Sequence, residues 1–383
     1  MSDAHHAIDE SLCALLRGES DTRHSPKSPA FGAAYDDRVR YHGVGPLLSR
    51  RRSLASRAIH PANACRQDSR ELEELTAMEL ARQHELRQVL QSLADSGVEV
   101  LLLKGTALAY SLYPAPALRP RTDTDILIRS SDRDATASVL SSLGYEKPNA
   151  VSGELLSYQC SFHKQDRFGV AHILDVHWRV NNTQVFSRAL DYEQLASRAL
   201  PIGSLGDHAR GLALGDALLL ACMHRAHHIH SPYRVHGDAG AGGERLIWLY
   251  DIHLLVEAMS VPAFADFTHS AESKGMRAVC ADGLRRTQAC FGTRLPEGAL
   301  VWMAKTGPRE PSAAHLRPGN VSHFLTELRS LPCWRDRITL LRGHLIPPPE
   351  YMLTKYSVTS RARLPILYLQ RGFHGAWKRM RSS

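Results

Sequence analysis

Residues 98–128 read VEVLLLKGTALAYSLYPAPALRPRTDTDILI, and the fold is decided there. A dense apolar run of strand length stops at Gly105, TALAYSLY carries a short helix, and a second strand follows with Asp123 and Asp125 at its entrance. The two aspartates are two residues apart, so on a strand their side chains share a face, about 7 Å from one another. Two carboxylates so placed repel and are costly to bury without a cation. Magnesium meets that need, since it is held by one or two carboxylates together with phosphate oxygens and water. A third acid, Asp175 in ILDVHW, is expected from a neighbouring strand, where it would let two ions lie close enough to polarise an attacking hydroxyl and a leaving pyrophosphate. Pairing with Arg179 and orientation of His177 are the other roles open to Asp175. His177 itself reads as a packed, hydrogen-bonded histidine, and Trp178 as the residue nearer the site or core.

The turn Lys104-Gly105-Thr106 supplies the other half. A glycine lets the backbone approach phosphate oxygens, the following helix points its amides at an anion, and the threonine hydroxyl adds a donor. Lys104, Arg119 and Arg121 are candidate cationic contacts to a triphosphate, arginine being suited to bidentate phosphate binding.

Outward from this core, Leu72, Leu75, Leu80, Leu86, Val89, Leu90 and Leu93 recur at helical intervals, and Asp68 with Glu71 has capping-box spacing, so a long helix is expected from Asp68 to near Gly97. Ser131 and Asp134 are expected to cap a helix through Leu143. SYQCSFHK and AHILDVHWRV alternate like strands around the turn DRFG. The resulting fold class is α+β: a small mixed sheet within a mostly helical chain. Upstream, residues 1–66 offer SLCALLRG and YHGVGPLLSRR as helices in a loosely built prelude. From about 189 to 300 the signals are helical, in GDALLLACMHRAHH, RLIWLYDIHLLVEAM and GMRAVCADGLRRTQACFG, with the glycine-rich SPYRVHGDAGAGGE as a flexible loop. Residues 331–383 hold two helix candidates broken by LIPPPE, and the last 23 residues carry six Lys or Arg and no acid. The expected units are therefore 1–66, 67–188 with the sheet, 189–330 forming the acceptor side of a cleft, and the basic segment 331–383.

The 383 residues are 43% hydrophobic with a formal charge of +8, which fits a folded chain with polyanionic ligands. Seven scattered cysteines, none closer than ten residues to another, argue against a disulfide framework or zinc knuckle. No apolar signal segment opens the sequence and no run approaches the roughly 20 residues of a membrane span, so a cytoplasmic protein with reduced thiols is expected. His224, His227, His228 and His230 form the chief rival site: the spacing of His224 and His228 suits zinc, with Asp251 or His253 completing the ligands. The alternatives are a polar helix face lining the cleft and a solvated surface. The C-terminal basic helix, with Leu367, Tyr368, Phe373 and Trp377, is a candidate contact to nucleic acid or a membrane surface, or else packs its apolar face on the domain.

The runs LLLKGTALAYSLYP, LRPRTDTDILI and LDVHWRV resemble the uncharacterised nucleotidyltransferase family of the DNA polymerase beta superfamily, marked by a glycine and a small residue before an acid-x-acid strand. The similarity extends through YHGVGPLLSRR, RLIWLYDIHLLVE and RGHLIPPPEYMLTKY, spanning most of residues 40–375. The resemblance implies a phosphate turn at Gly105 and Thr106, metal carboxylates at Asp123 and Asp125, and the third at Asp175. The interval from Thr106 to Asp123 is longer than in most of that superfamily and contains Pro114, Pro116 and Pro120. The implied activity is magnesium-dependent transfer of a nucleoside monophosphate from a nucleoside triphosphate to an acceptor: a small molecule, peptide, protein or RNA. A non-catalytic nucleotide- or partner-binding module of the same fold and a histidine-centred metal hydrolase are the alternatives.

Overall fold

Four helices lead the chain into its sheet. The computed structural model describes residues 3–19, 29–59, 66–148, 157–230, 233–235, 238–240, 243–305, 310–358 and 360–381. The leading helices are α1 (Asp3–Arg17), α2 (Pro29–His42), α3 (Gly45–Ile59) and α4 (Arg66–Asp95). YHGVGPLLSRR is not one helix. Gly43, at φ +68, breaks it between α2 and α3, in the left-handed region that a side chain disfavours. Nor are the first helices a loose prelude. Ile8, Leu12 and Leu16 of α1 recur every four residues and are fully buried in the main core. The helix α4 begins at Arg66, which moves Asp68 from the expected cap position into the first turn.

The sheet region runs β1 (Leu101–Leu102), α5 (Lys104–Ser111), β2 (Thr124–Leu127), α6 (Arg133–Ser142), β3 (Gln159–Gln165), β4 (Ala171–His177), α7 (Gln184–Ser187), α8 (Tyr192–Arg198), β5 (Leu200–Pro201) and β6 (Arg210–Gly211). The strand order is β3-β4-β2-β1-β6-β5. Pairings β2–β4 and β1–β6 are parallel and the others antiparallel, so the sheet is mixed. The expected hairpin is present: β3 and β4 join through Asp166-Arg167-Phe168-Gly169, where Asp166 Oδ1 accepts from the amides of Phe168 and Val170. Strands β5 and β6 were not expected. The start of α6 also differs, because a 3-10 turn at Ser130–Asp132 runs into it, leaving Asp132 rather than Ser131 at the cap position with no side-chain cap bond.

Residue parity separates the two faces of the sheet. Ile126, Leu174 and Val176 pack with Leu86, Val89, Leu90 and Leu93 of α4 in one core. The odd-numbered partners, among them Leu127, face the other side. That side is covered by α9 (Leu214–His228), α10 (Leu246–Ala258), α11 (Val261–Ser273) and α12 (Arg277–Phe291), of which α11 was not expected. Between α9 and α10 the glycine-rich segment forms a ribbon of β7 (Tyr233–Val235) and β8 (Asp238–Gly240), where a loop was expected. Arg225 of α9, fully buried, ties this layer by donating to Glu244 and to Asp282 Oδ2 at 2.7 Å. The chain ends in α13 (Ala299–Ala304), α14 (Asn320–Ser330), α15 (Trp334–Leu345), α16 (Pro349–Lys355) and α17 (Leu364–Arg381). Residues 331–383 thus hold three helices rather than two, and LIPPPE lies between the first two, where Pro349 opens α16 at the position where a missing N–H costs nothing. Among the described residues, no helix is long and apolar enough to cross a membrane.

Candidate active site

The parallel register of β2 and β4 sets Asp125 directly beside Asp175. Both have odd parity, so both face the α9 side, and Asp123 stands just before β2 at the same cleft. His177 shares this face as well. Its Nε2 lies 2.8 Å from Asp125 Oδ1, and the ring is fully buried. The expectation for Trp178 is thereby corrected: alternation turns it away from the acids, and Arg133 stacks on it with Cζ 4.4 Å from the ring centre. Arg179 stacks on Tyr158 instead of pairing with Asp175. Asp175 is held from β3, where Ser161 donates to Oδ1 and Gln159 Nε2 lies 3.5 Å from Oδ2.

Lys104 reaches the acids from the start of α5. Its Nζ donates to Asp125 Oδ1 at 2.7 Å. The backbone there has φ +49, a left-handed conformation that costs a non-glycine residue about 1 kcal/mol. Such strain is retained where the side chain's direction matters. One ammonium against three carboxylates leaves an excess of negative charge. Burial, then the charges on Asp125 and Asp175, push the Asp123 carboxyl up to about 6. Burial works in the same sense on Asp125, but Lys104 and His177 overcome it and hold that carboxyl well below the usual range.

The two arginines lie on the same wall in different settings. Arg119 forms a two-pronged pair with Asp251 of α10, at 2.7 Å from Nη2 to Oδ2 and 2.9 Å from Nε to Oδ1. Tyr113 donates to the same Asp251 at 2.7 Å. The Arg119 guanidinium fills the space where a Cβ on Gly105 would stand, 3.2 Å from Cζ. A side chain at position 105 would press on that guanidinium, which would have to give by a few tenths of an ångström. Arg121 donates through Nη2 to Glu79 of α4 at 2.6 Å, and its buried Nε and Nη1 have no partner among the described residues. Thr106 is buried with its hydroxyl 3.4 Å from that of Thr124.

These groups line a cleft of about 470 Å³, within the range of small-ligand sites. Its far wall is α9 and the start of α10. His224, His227 and His228 line it together with Trp248, the His224 and His228 rings 4.6 Å apart and His224 edge-on to Trp248 at 5.4 Å. Burial chiefly depresses all three: His227 to about 4, His228 to about 3, and His224 well below its ordinary value. They are neutral rings at neutral pH. Among the described residues they do not converge with a further ligand into a metal site, and Asp251, one of the two residues expected to complete it, is occupied by Arg119 and Tyr113. His253 instead meets Thr293, and His230 bonds the Leu316 carbonyl at 3.0 Å. Among the described residues, the group able to hold a metal ion is Asp125, Asp175 and His177, whose ligand atoms lie within 4.8 Å of one another.

His177, Glu79 and Trp248 were missed as site residues by sequence reasoning. His177 carried a signal, since position i+2 on a strand shares the face of i. Glu79 and Trp248 sit in helices whose apolar periodicity speaks only of packing.

A search of curated proteins finds no match. Among solved structures, an antigenic nucleotidyltransferase-like protein from Paracoccidioides brasiliensis is similar at a TM-score of 0.32 and 12% identity, covering 57% of this chain and 94% of that one, a likeness too distant to carry an argument. The family model described as "Uncharacterised nucleotidyltransferase" matches residues 34–292. That span contains every residue lining the cleft, from Gly43 to Trp248, and the chain belongs to this family.

Proposed function

We propose that the cleft transfers a nucleoside monophosphate from a nucleoside triphosphate to an acceptor hydroxyl or similar group. The acceptor oxygen bonds to the α-phosphorus, the bond to the bridging oxygen of pyrophosphate breaks, and the acceptor proton leaves to water. The observation that carries this reading is the convergence of Asp123, Asp125 and Asp175 on one cleft face with a single ammonium, Lys104, against them. Hard carboxylate oxygens in that number suit magnesium. Asp125 Oδ1 is engaged by Lys104 and His177, so Oδ2 and the Asp175 and Asp123 oxygens are the donors that fit a cation. Magnesium there, as one ion or two, would supply charge neutralisation of the phosphates.

The chain's own groups divide the remaining work. The unpartnered Nε and Nη1 of Arg121 suit the outer phosphates, as do the first amides of α5 at Gly105 and Thr106. Arg119 acts at one remove, since its pair with Asp251 fixes the Gly105 turn against α10. The neutral imidazoles and Trp248 offer flat faces to a base or acceptor. The test is calorimetry of each nucleoside triphosphate with magnesium, comparing wild type with Asp123→Asn, Asp125→Asn. Binding that needs both the ion and the aspartates is the expected result, and binding that survives in the double variant sinks the assignment.

A second reading, nucleotide binding without turnover, is favoured by one feature. Lys104 and His177 both engage the same oxygen of Asp125, which lowers that carboxylate's capacity to bind metal. Absence of pyrophosphate release across acceptor classes, with binding intact, would select it.

A further inference from the structure

A second cavity, of about 220 Å³, lies beside the cleft, between β1 with α5 on one side and α9 with α10 on the other. Small residues make its space: Ala107 and Ser111 on α5, Gly211 on β6, Ala217 and Ala221 on α9. A Cβ on Gly211 would stand 2.9 Å from Ile202 Cδ1, so that glycine sets how near the wall can come. Leucines supply most of the remaining lining, and Leu200, 47% exposed, gives the cavity an edge on solvent. Protein interiors pack densely enough that voids much larger than a water molecule are few. An apolar cavity of about 150 Å³ takes up benzene. Four side chains, Lys104, Arg119, His224 and Trp248, line both this cavity and the cleft.

We infer that this cavity is a binding site for an apolar group of the acceptor, of roughly nine non-hydrogen atoms. The polar end of such a molecule meets Lys104 and His224 at the boundary, on the side of the carboxylates. The acceptor class is therefore an amphiphile with a hydroxyl or similar head and a compact alkyl or aromatic body. The assignment of the occupant as acceptor rests on the nucleotidyl-transfer reading. Occupancy of the cavity by an apolar group does not.

The test titrates the full chain with primary alcohols from butan-1-ol to dodecan-1-ol, following binding by calorimetry, with magnesium nucleotide binding measured in parallel. Affinity is expected to rise about fourfold per methylene, then to stop rising at roughly eight or nine carbons. Filling the space with Ala217→Leu, Ala221→Leu should weaken octan-1-ol at least tenfold. Wild-type protein that binds magnesium nucleotide but shows no chain-length dependence overturns the inference and leaves the nucleotide reading intact. Chain-length-dependent alcohol binding that the filled variant loses, in a protein that binds no nucleotide, keeps the cavity and sinks nucleotidyl transfer. Should the filled variant not fold, the chain-length limit in wild type decides alone.

Discussion

The carboxyl of Asp123 gains its proton near pH 6 in the folded protein and near 3.8 in an unconstrained chain. Between those values the folded state keeps a proton that the unfolded state has lost. Stability therefore falls as pH rises through this window, and the penalty is complete above about pH 6. Asp123→Asn is expected to stabilise the metal-free protein at about pH 7.5 by roughly 3 kcal/mol, a gain that closes below about pH 4, as read from denaturant unfolding with chelator present. Lys104→Met should do the opposite. It strips the buried Asp125 of its ammonium at a cost of roughly 3–5 kcal/mol, and magnesium should recover part of the loss. An unchanged unfolding midpoint in chelator would show that Lys104 does not balance the acids. Asp123, Asp125 and Asp175 were legible because strand alternation and like charge speak locally. His177 is the packed, hydrogen-bonded histidine that the sequence suggests, and strand parity also places it on the face of the acids. The pairing of Arg119 with Asp251, 132 residues away, had no local signal at all.

Helix α9 serves two tasks from neighbouring faces, histidines toward the cleft and Arg225, about 100° round from His224, toward Glu244 and Asp282. Arg225→Ala leaves Glu244 and Asp282 without their shared cation and is expected to cost roughly 3–5 kcal/mol, seen as a lower denaturant midpoint. A loss below about 0.5 kcal/mol would show the pair to be no better than an exposed one. Elements of this length were legible where periodicity was strong, as in α4, α9, α10, α12 and the β3–β4 hairpin. Strands β5 and β6 were not, because each is two residues long and they contain Pro201 and Gly211, types that strands disfavour. The missed α11 did carry signals: Ser260 accepts from the Ala263 amide, a proline opens the helix, and Phe264, Phe267 and Ala271 fall on one face. Their weakness lay in the polar residues between them.

At the scale of the molecule, the cleft joins the sheet to the α9–α10 layer, so a ligand filling it binds only the folded arrangement. Magnesium nucleotide at about 100 times its dissociation constant should add about 2.7 kcal/mol and raise Tm by a few degrees. That rise should vanish in Asp123→Asn, Asp125→Asn; its persistence there would place the nucleotide elsewhere. The α+β arrangement was legible in outline, whereas the binding of the first helices to the last part of the core was not, since such contacts leave no trace in local pattern. Helix α1 packs against α12, and Arg17 Nη1 donates to the carbonyl of Cys290, 273 residues along the chain. Helices α2 and α3 also pack on α1 and follow it at once, but during synthesis at about 5–20 residues per second the contact with α12 waits roughly 15–55 s. The nascent chain thus spends that interval with α1 covered on the side of α2 and α3 alone, a partly greasy surface open to whichever chaperone meets it first.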